Sequence, residues 1–286
     1  MSGSPLQSTP LGDHLGVELA SFDPRSIEDE RVLEQLVGLL LVKLVVVLRG
    51  QRWTPDEQVA FTRHFGGLWE FPLEARKLGE DNPWVFRMSN NPELGFSDVG
   101  HYWHTDGYFH KVPPSLAVLA AVTVPPEGGD TLFANMYRAC ACLPEELGRA
   151  VEGRHAMSAP EPGAPPARGL LRAAPAPVIH PLLRPHPTTG RLTLYFNRGN
   201  IVRIEDHSPE RTEELLEEIS SYISSGDFTY RHVWQPGDVV LWENGGTAHR
   251  ATATSPEHLR IMDRTSVVGD VFNSDMWLRA AAQLGS

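Results

Sequence analysis

Residues 115–124 read SLAVLAAVTV; Pro-Pro-Glu-Gly-Gly (125–129) follows, and then DTLFA (130–134). A β-branched apolar run, a cluster of turn formers and a second apolar run predict two buried strands joined by a tight connection. The same grammar recurs on both sides. Upstream lie WVFRMS (84–89) and the segment 101–106; downstream lie RLTLYFN (191–197), FTYRHVW (228–234), DVVLWEN (238–244) and LRIMDRTSVVG (259–269). Roughly eight short strands separated by Pro/Gly turns fit a two-sheet jelly roll, a double-stranded β-helix, better than an alternating α/β fold.

Helices flank this mainly β core. Residues 26–40 place acidic groups first and apolar ones at helical spacing, and VKLVVVLRG (42–50) follows as a strand ending at a glycine. Thr54-Pro55-Asp56-Glu57 is a helix start, with an N-cap, a proline at the first position and a carboxylate at the third, leading to 64–66. Further helices are expected around 143–151 and over 208–224, which opens Ser-Pro-Glu. Small polar residues at 1–13 predict a loose tail, leaving 14–286 as one jelly-roll domain. The Ala/Pro-rich stretch 159–177 has few large apolar groups and reads as a mobile loop, either a surface insertion or a lid over a pocket.

Composition narrows the partners. A chain of 286 residues, 41% hydrophobic, can bury one sizeable core, and its net charge of −11 argues against a phosphate-backbone surface and hence against nucleic acid. The two cysteines, Cys140 and Cys142, are too few for a disulfide framework or a thiolate zinc site. The first residues carry no basic-then-apolar signal, and the apolar run 36–48 is interrupted by Lys43 and too short to span a bilayer. A cytoplasmic protein with a small-molecule partner is expected, with no membrane contact, and assembly into a homo-oligomer is compatible with this.

Chemistry concentrates first at His104-Thr105-Asp106. In an extended strand, residues two apart face the same side, so this imidazole and carboxylate can reach one ion. Among 12 histidines the motif has rivals, with His101 and His110 close by. A third ligand must come from elsewhere in the chain, and His249 follows the strand DVVLWEN and a Gly-Gly turn. Two histidines and one carboxylate leave half an octahedral sphere open, which suits Fe(II) and O2, whereas zinc is more often enclosed. A 2-oxoglutarate could chelate at the open positions, with Arg260 offering a guanidinium fork to its far carboxylate. Arg260, Met262 and Arg264 alternate, so both arginines should face the interior; the competing reading pairs them with Glu243 or Asp263. Thr131 can add a hydroxyl donor.

These residues, with LRGQ (48–51), FTRHFGGL (61–68), WHTDGYF (103–109), PPEGGDTLFANM (125–136), HPLLRPHPTTGRLTLYFNRGN (180–200), WQPGDVVLWEN (234–244) and LRIMDRT (259–265), resemble the taurine dioxygenase/TfdA-like family of Fe(II)/2-oxoglutarate dioxygenases. The likeness covers nearly the whole chain beyond residue 13. It implies iron at His104, Asp106 and His249, 2-oxoglutarate at Thr131 and Arg260, and O2 as oxidant of an unactivated C–H bond. Arg264 matches a position that meets the acidic group of taurine. Where the taurine enzyme has a His and an Asn for the sulfonate, this chain offers Phe71 and Gly100, and WENGG stands where relatives commonly show WDNR. The retained Asp106 argues against the halogenating branch.

The expected substrate is therefore a small acid with an apolar body, contacted by Arg264, Tyr108, Asn200 and Phe71. Its oxidation, by hydroxylation or a related outcome, is expected in secondary-metabolite biosynthesis. Three alternatives remain: catabolism of a sulfonate or aryloxy acid, a non-catalytic metal-binding jelly roll such as a 2-oxoglutarate sensor, and a metal hydrolase using a metal-bound water, for which a carboxylate base near the metal and no paired Arg on the late strand would be expected. Arg198 in FNRGN is expected in a surface or interface pair.

Overall fold

Alternate residues of the long strands are buried on opposite sides, which explains why their sequences are apolar at nearly every position. The computed structural model describes residues 6–71, 82–97, 99–159, 176–269 and 279. Numbered in chain order, its major sheet runs β1 (Thr9–Pro10), β2 (Val17–Leu19), β3 (Val45–Leu48), β13 (Val239–Glu243), β5 (Leu116–Thr123), β15 (Ile261–Val267) and β4 (Phe86–Ser89). A second sheet sets β6 (Thr131–Asn135) between β12 (Thr229–His232) and β14 (Thr247–Ala251). The two form the jelly-roll core. On one face of the major sheet Val46, Leu48, Val118 and Leu241 pack with the helices; on the other Val47, Leu119, Val240 and Trp242 meet Phe133 of the second sheet.

The helical layer on the major sheet is α1 (Glu30–Lys43) and α2 (Pro55–Arg63). In α2 the expected capping box forms: Thr54 Oγ1 accepts from Glu57 N at 3.3 Å, and Glu57 Oε2 accepts from Thr54 N at 2.7 Å. The first helix differs from expectation at both ends. Residues 24–28 form a separate 3-10 turn, and α1 starts after its own cap, Asp29, whose side chain accepts from Arg31 N. It then continues through Val42 and Lys43, where a strand was expected. Burying Leu40 and Leu41 on the helical face contributes about 1.5–3 kcal/mol each, more than the strand preference of one valine, about 1 kcal/mol at most. Leu44 makes the turn into β3 at φ 67°, with its N–H closing on Leu40 O.

The outer face of the second sheet is covered by α3 (Met136–Ala141), α4 (Glu145–Val151) and α5 (Pro209–Ser225), with Ala134, Ala248, Leu216 and Ile219 in one cluster. Small strands complete this side: β7 (His155–Ser158) lies between β8 (Val178–Pro181) and β11 (Ile201–Ile204), and β9 (Leu183–Pro185) pairs with β10 (Leu192–Leu194). The expected strand 191–197 is thus only its first part. The predicted loose tail is also shorter, since Thr9 and Pro10 pair with β2 and Leu6 N donates to Gln35 Oε1 at 2.7 Å. The proposed lid, 159–177, lies almost wholly outside the described residues. Among the described residues no helix is long and apolar enough to cross a membrane.

Candidate active site

The segment 101–106 is not the regular strand its sequence suggests. It touches β14 by a single antiparallel bridge, His104 to His249, in which His104 N donates to His249 O at 3.0 Å and His249 N to His104 O at 2.9 Å. Side chains replace the missing ladder, as buried backbone polar groups require. Asn244 accepts from Asp106 N and donates to Asp106 O, both at 3.0 Å, and Asn197 Nδ2 donates to Thr105 O at 3.0 Å. Gly100, at φ +77°, brings the chain so close to the imidazole that a Cβ there would lie 3.2 Å from His104 Cε1.

The bridge delivers both rings to the carboxylate. His104 Nε2 is 3.8 Å from Asp106 Oδ1, and His249 Nε2 is 4.0 Å from Asp106 Oδ2. These separations are too long for hydrogen bonds and suit three groups sharing one cation. All three ligand atoms fall within 4.8 Å of one another, and no other such group occurs among the described residues. Asp106 Oδ2 is buried with no hydrogen-bond partner among them, an expensive state unless a cation meets it. Burial lowers the pKa of His104 and lowers that of His249 well below its usual value, keeping both imidazoles neutral with lone pairs to give. Burial alone would raise Asp106, but the Arg264 guanidinium and the two histidines override it and hold the carboxyl below its ordinary value. Tyr102 O, 2.8 Å from His104 Nδ1, fixes the tautomer that leaves Nε2 free. The rivals line the same cavity but fall outside the cluster: His101 is exposed and His110 packs edge-on against Trp69.

The triad opens on a cavity of about 850 Å3, also lined by Arg260, Thr131, Trp242, Arg264, Phe71 and Asn200. Both arginines reach it, as their alternation requires, although a bulge sits between Ile261 and Met262. Neither takes the carboxylates that were the competing partners. Asp263 pairs with Arg87 at 2.6 Å, and Glu243 with His186 at 3.0 Å. The Arg260 Nε donates to Gly129 O at 2.9 Å, and no carboxylate within ion-pair distance is found for it among the described residues. Burial pushes its pKa down to about 10 against the opposing pull of Asp130. Gly129 permits this approach: at φ +67°, a Cβ there would lie 2.8 Å from Arg260 Cδ. Thr131 Oγ1 accepts from Trp234 Nε1 at 3.0 Å, which leaves its own hydrogen for a ligand.

The sequence matches the family described as "Taurine catabolism dioxygenase TauD, TfdA family" over residues 7–266. The chain belongs to the TauD/TfdA family. It is 32% identical to pentalenolactone F synthase of Streptomyces arenae, over 94% of this chain and 96% of that protein. It is 29% identical to the alpha-ketoglutarate-dependent 2,4-dichlorophenoxyacetate dioxygenase of Cupriavidus pinatubonensis, over 92% and 98% of the two chains. The crystal structure of a taurine dioxygenase from Burkholderia xenovorans superposes with a TM-score of 0.74 at 31% identity, covering 93% of this chain and 90% of that one. As a TauD/TfdA enzyme this protein is a dioxygenase that uses Fe(II), 2-oxoglutarate and O2.

Within the TauD/TfdA frame the four expected substrate contacts separate. Phe71 and Asn200 line the cavity, and Phe71 stacks on Phe86 at 5.1 Å. Arg264 lines it too, and its Nη1 is bound to Asp106 Oδ1 at 2.6 Å. Tyr108 is a correction. It is fully buried against Tyr195 and His180 and is not part of the cavity wall, because Gly107 at φ +65° turns the chain away after Asp106. Arg198 pairs with Glu213 and Glu217 at the surface, as expected. Sequence reasoning missed Asn244, Trp242 and Ser266, the last two on the cavity wall. Ser266 was recoverable, standing two residues beyond Arg264 on the same strand.

Proposed function

We propose that this enzyme oxidises an unactivated C–H bond of a small acid with an apolar ring or chain, in a biosynthetic rather than a catabolic setting. His104, Asp106 and His249 hold the ferrous ion, and Arg260 with Thr131 holds the far carboxylate of 2-oxoglutarate. The observation that carries the reading is the pairing, in one cavity, of a three-residue cluster with an orphaned carboxylate oxygen and a half-buried guanidinium lacking a carboxylate partner among the described residues. When bound, ferrous iron and 2-oxoglutarate would supply the electrons that activate O2, the oxidant for C–H cleavage. The residues supply the rest: neutral imidazoles and an ionised carboxylate as ligands, a fork that orients the co-substrate, and apolar walls that exclude water.

The substrate class is supported by the wall chemistry. Phe71, Phe86 and Phe96 form a continuous aromatic face, with ring centroids 5.1 and 5.3 Å apart, and Met88 packs against it. The Cζ of Arg264 lies 5.1 Å from the Phe86 ring centroid, so one cation borders this face. Apolar area supplies affinity there, and the guanidinium orients an acid. Asn200 adds a polar contact on the same cavity. The biosynthetic setting is supported by the similarity to proteins named pentalenolactone F synthase. A second reading, oxidation of aryloxy acids, draws on the same aromatic face and on the 2,4-dichlorophenoxyacetate dioxygenase relative.

Succinate release measured across a panel of acids decides between them. Turnover of bulky, largely apolar acids, with little on aryloxyacetates or taurine, is the expected result. Preferential turnover of taurine or 2,4-dichlorophenoxyacetate would overturn the biosynthetic assignment.

A further inference from the structure

The two imidazoles of the triad are anchored differently. His104 Nδ1 is fixed on Tyr102 O at 2.8 Å, whereas His249 Nδ1 is buried with no protein partner among the described residues. Ligating histidines usually gain their orientation from a bond at the second ring nitrogen. Among the described residues the His249 ring meets other rings, His104 at 4.1 Å, Trp242 at 4.7 Å and Phe133 at 5.9 Å, and otherwise depends on the backbone of β14. Whatever sets the start of β14 therefore sets the ligand.

That start is gripped by a buried carboxylate. Glu243, the last residue of β13, accepts from Gly245 N at 2.8 Å through Oε1 and from Gly246 N at 2.7 Å through Oε2. Its Oε1 also meets His186 Nε2 at 3.0 Å, with both side chains wholly buried. His186 Nδ1 accepts from Thr188 N and Thr189 N at 3.3 and 3.2 Å, so the ring proton sits on Nε2 and points at Glu243. Thr247 Oγ1 donates to Glu243 O at 2.5 Å. The glycines answer the closeness of this carboxylate: a Cβ on either would lie 3.0 Å from a Glu243 oxygen. Next door, Asn244 is bonded to both backbone groups of Asp106 and donates to Pro114 O at 2.7 Å. Consecutive residues thus hold the strand of one triad member and the backbone of another.

We infer that Glu243, locked by His186, is a positioning residue that fixes His249 relative to Asp106 and sets how tightly the metal is held. The inference rests on the triad being the metal site. It gives the Gly-Gly of WENGG a physical role, since a Cβ at 245 would press on His186 at 2.8 Å and one at 246 on Tyr137 at 2.6 Å, each crowding the carboxylate as well.

Mn(II) affinity of the full chain, read by electron paramagnetic resonance titration beside the thermal unfolding midpoint, tests it. Glu243→Gln should weaken Mn(II) binding by about 10- to 100-fold. A matched control is Asp238→Asn, which breaks another buried pair, His232 Nε2 to Asp238 Oδ2 at 3.1 Å, that grips no triad residue. It should lower the midpoint but leave Mn(II) affinity within about twofold, as expected for sites without shared partners. Wild-type affinity in Glu243→Gln, or equal losses in both variants, would overturn the inference. Should Glu243→Gln not fold, His186→Gln and His186→Leu carry the test. Gln, which keeps a donor, should bind within about twofold of wild type and Leu should lose at least about fivefold; equal affinities refute the role. Asp106→Ala separates the two readings: full Mn(II) affinity there sinks the metal site itself, whereas loss there with none in Glu243→Gln sinks only the positioning role.

Discussion

His104 and His249 bond to each other through both backbone amides while their side-chain nitrogens converge on the carboxylate between them. One two-residue bridge therefore joins triad residues 145 positions apart in the chain, and the site's geometry depends on sheet register more than on loop conformation. A slip of one residue in β14 would turn His249 to the opposite face.

Asp106→Ala tests the charge logic of the triad. Removing the carboxylate leaves the Arg264 guanidinium beside two imidazoles with nothing to neutralise a divalent ion. Succinate formation should fall to background. Metal affinity, measured by titration, should fall by more than about 100-fold, beyond the 10- to 100-fold typical of outer-shell changes.

Arg260→Ala removes a fork whose charge-assisted bonds are worth about 1.5–3 kcal/mol each. The 2-oxoglutarate concentration for half-maximal succinate release should rise by roughly 10- to 150-fold at 1.4 kcal/mol per decade, while kcat at saturation changes less. Arg264→Ala should leave that requirement near wild type. The reverse pattern would exchange the two assignments.

Gly129→Ala should disturb the same subsite without touching a ligand directly. Its Cβ would sit 2.8 Å from Arg260 Cδ, and the backbone is in the left-handed region. A loss of about 1–2 kcal/mol in stability is expected from the backbone alone, seen as a lower unfolding midpoint. A weaker response to 2-oxoglutarate should accompany it.

Tyr108→Ala and Phe71→Ala should behave oppositely. Tyr108 is core, so its truncation should destabilise the protein by about 3–5 kcal/mol, with no change in the 2-oxoglutarate requirement of the folded fraction. Phe71 lines the cavity, and its truncation should instead change the ranking of acids in the succinate assay. Equal behaviour of the pair would contradict the placement.

Much of this was legible in the residues. The apolar runs gave the sheets because nearly every strand position is buried on one face or the other, and Thr54-Pro55-Asp56-Glu57 marked its helix start because its bonds are local. The triad could be named because His104 and Asp106 stand two apart and His249 follows a strand and a turn. What escaped depended on conformations that period alone does not encode. Gly107 at φ +65° sends Tyr108 inward although it stands two residues from Asp106, and Leu44 at φ 67° moves the start of a strand. The Arg264–Asp106 pair joins residues 158 positions apart, and neither side chain carries a local sign of the other.

Residues 9–19 shield the flank of the major sheet, because β2 lies parallel to β3 and β1 pairs with β2. A protein trimmed to begin at residue 20 would present the bare amides and carbonyls of Val45–Leu48, an apolar ribbon ready to recruit further chains. The segment 9–19 then acts as a guard against aggregation, and expression vectors that remove it invite insoluble material.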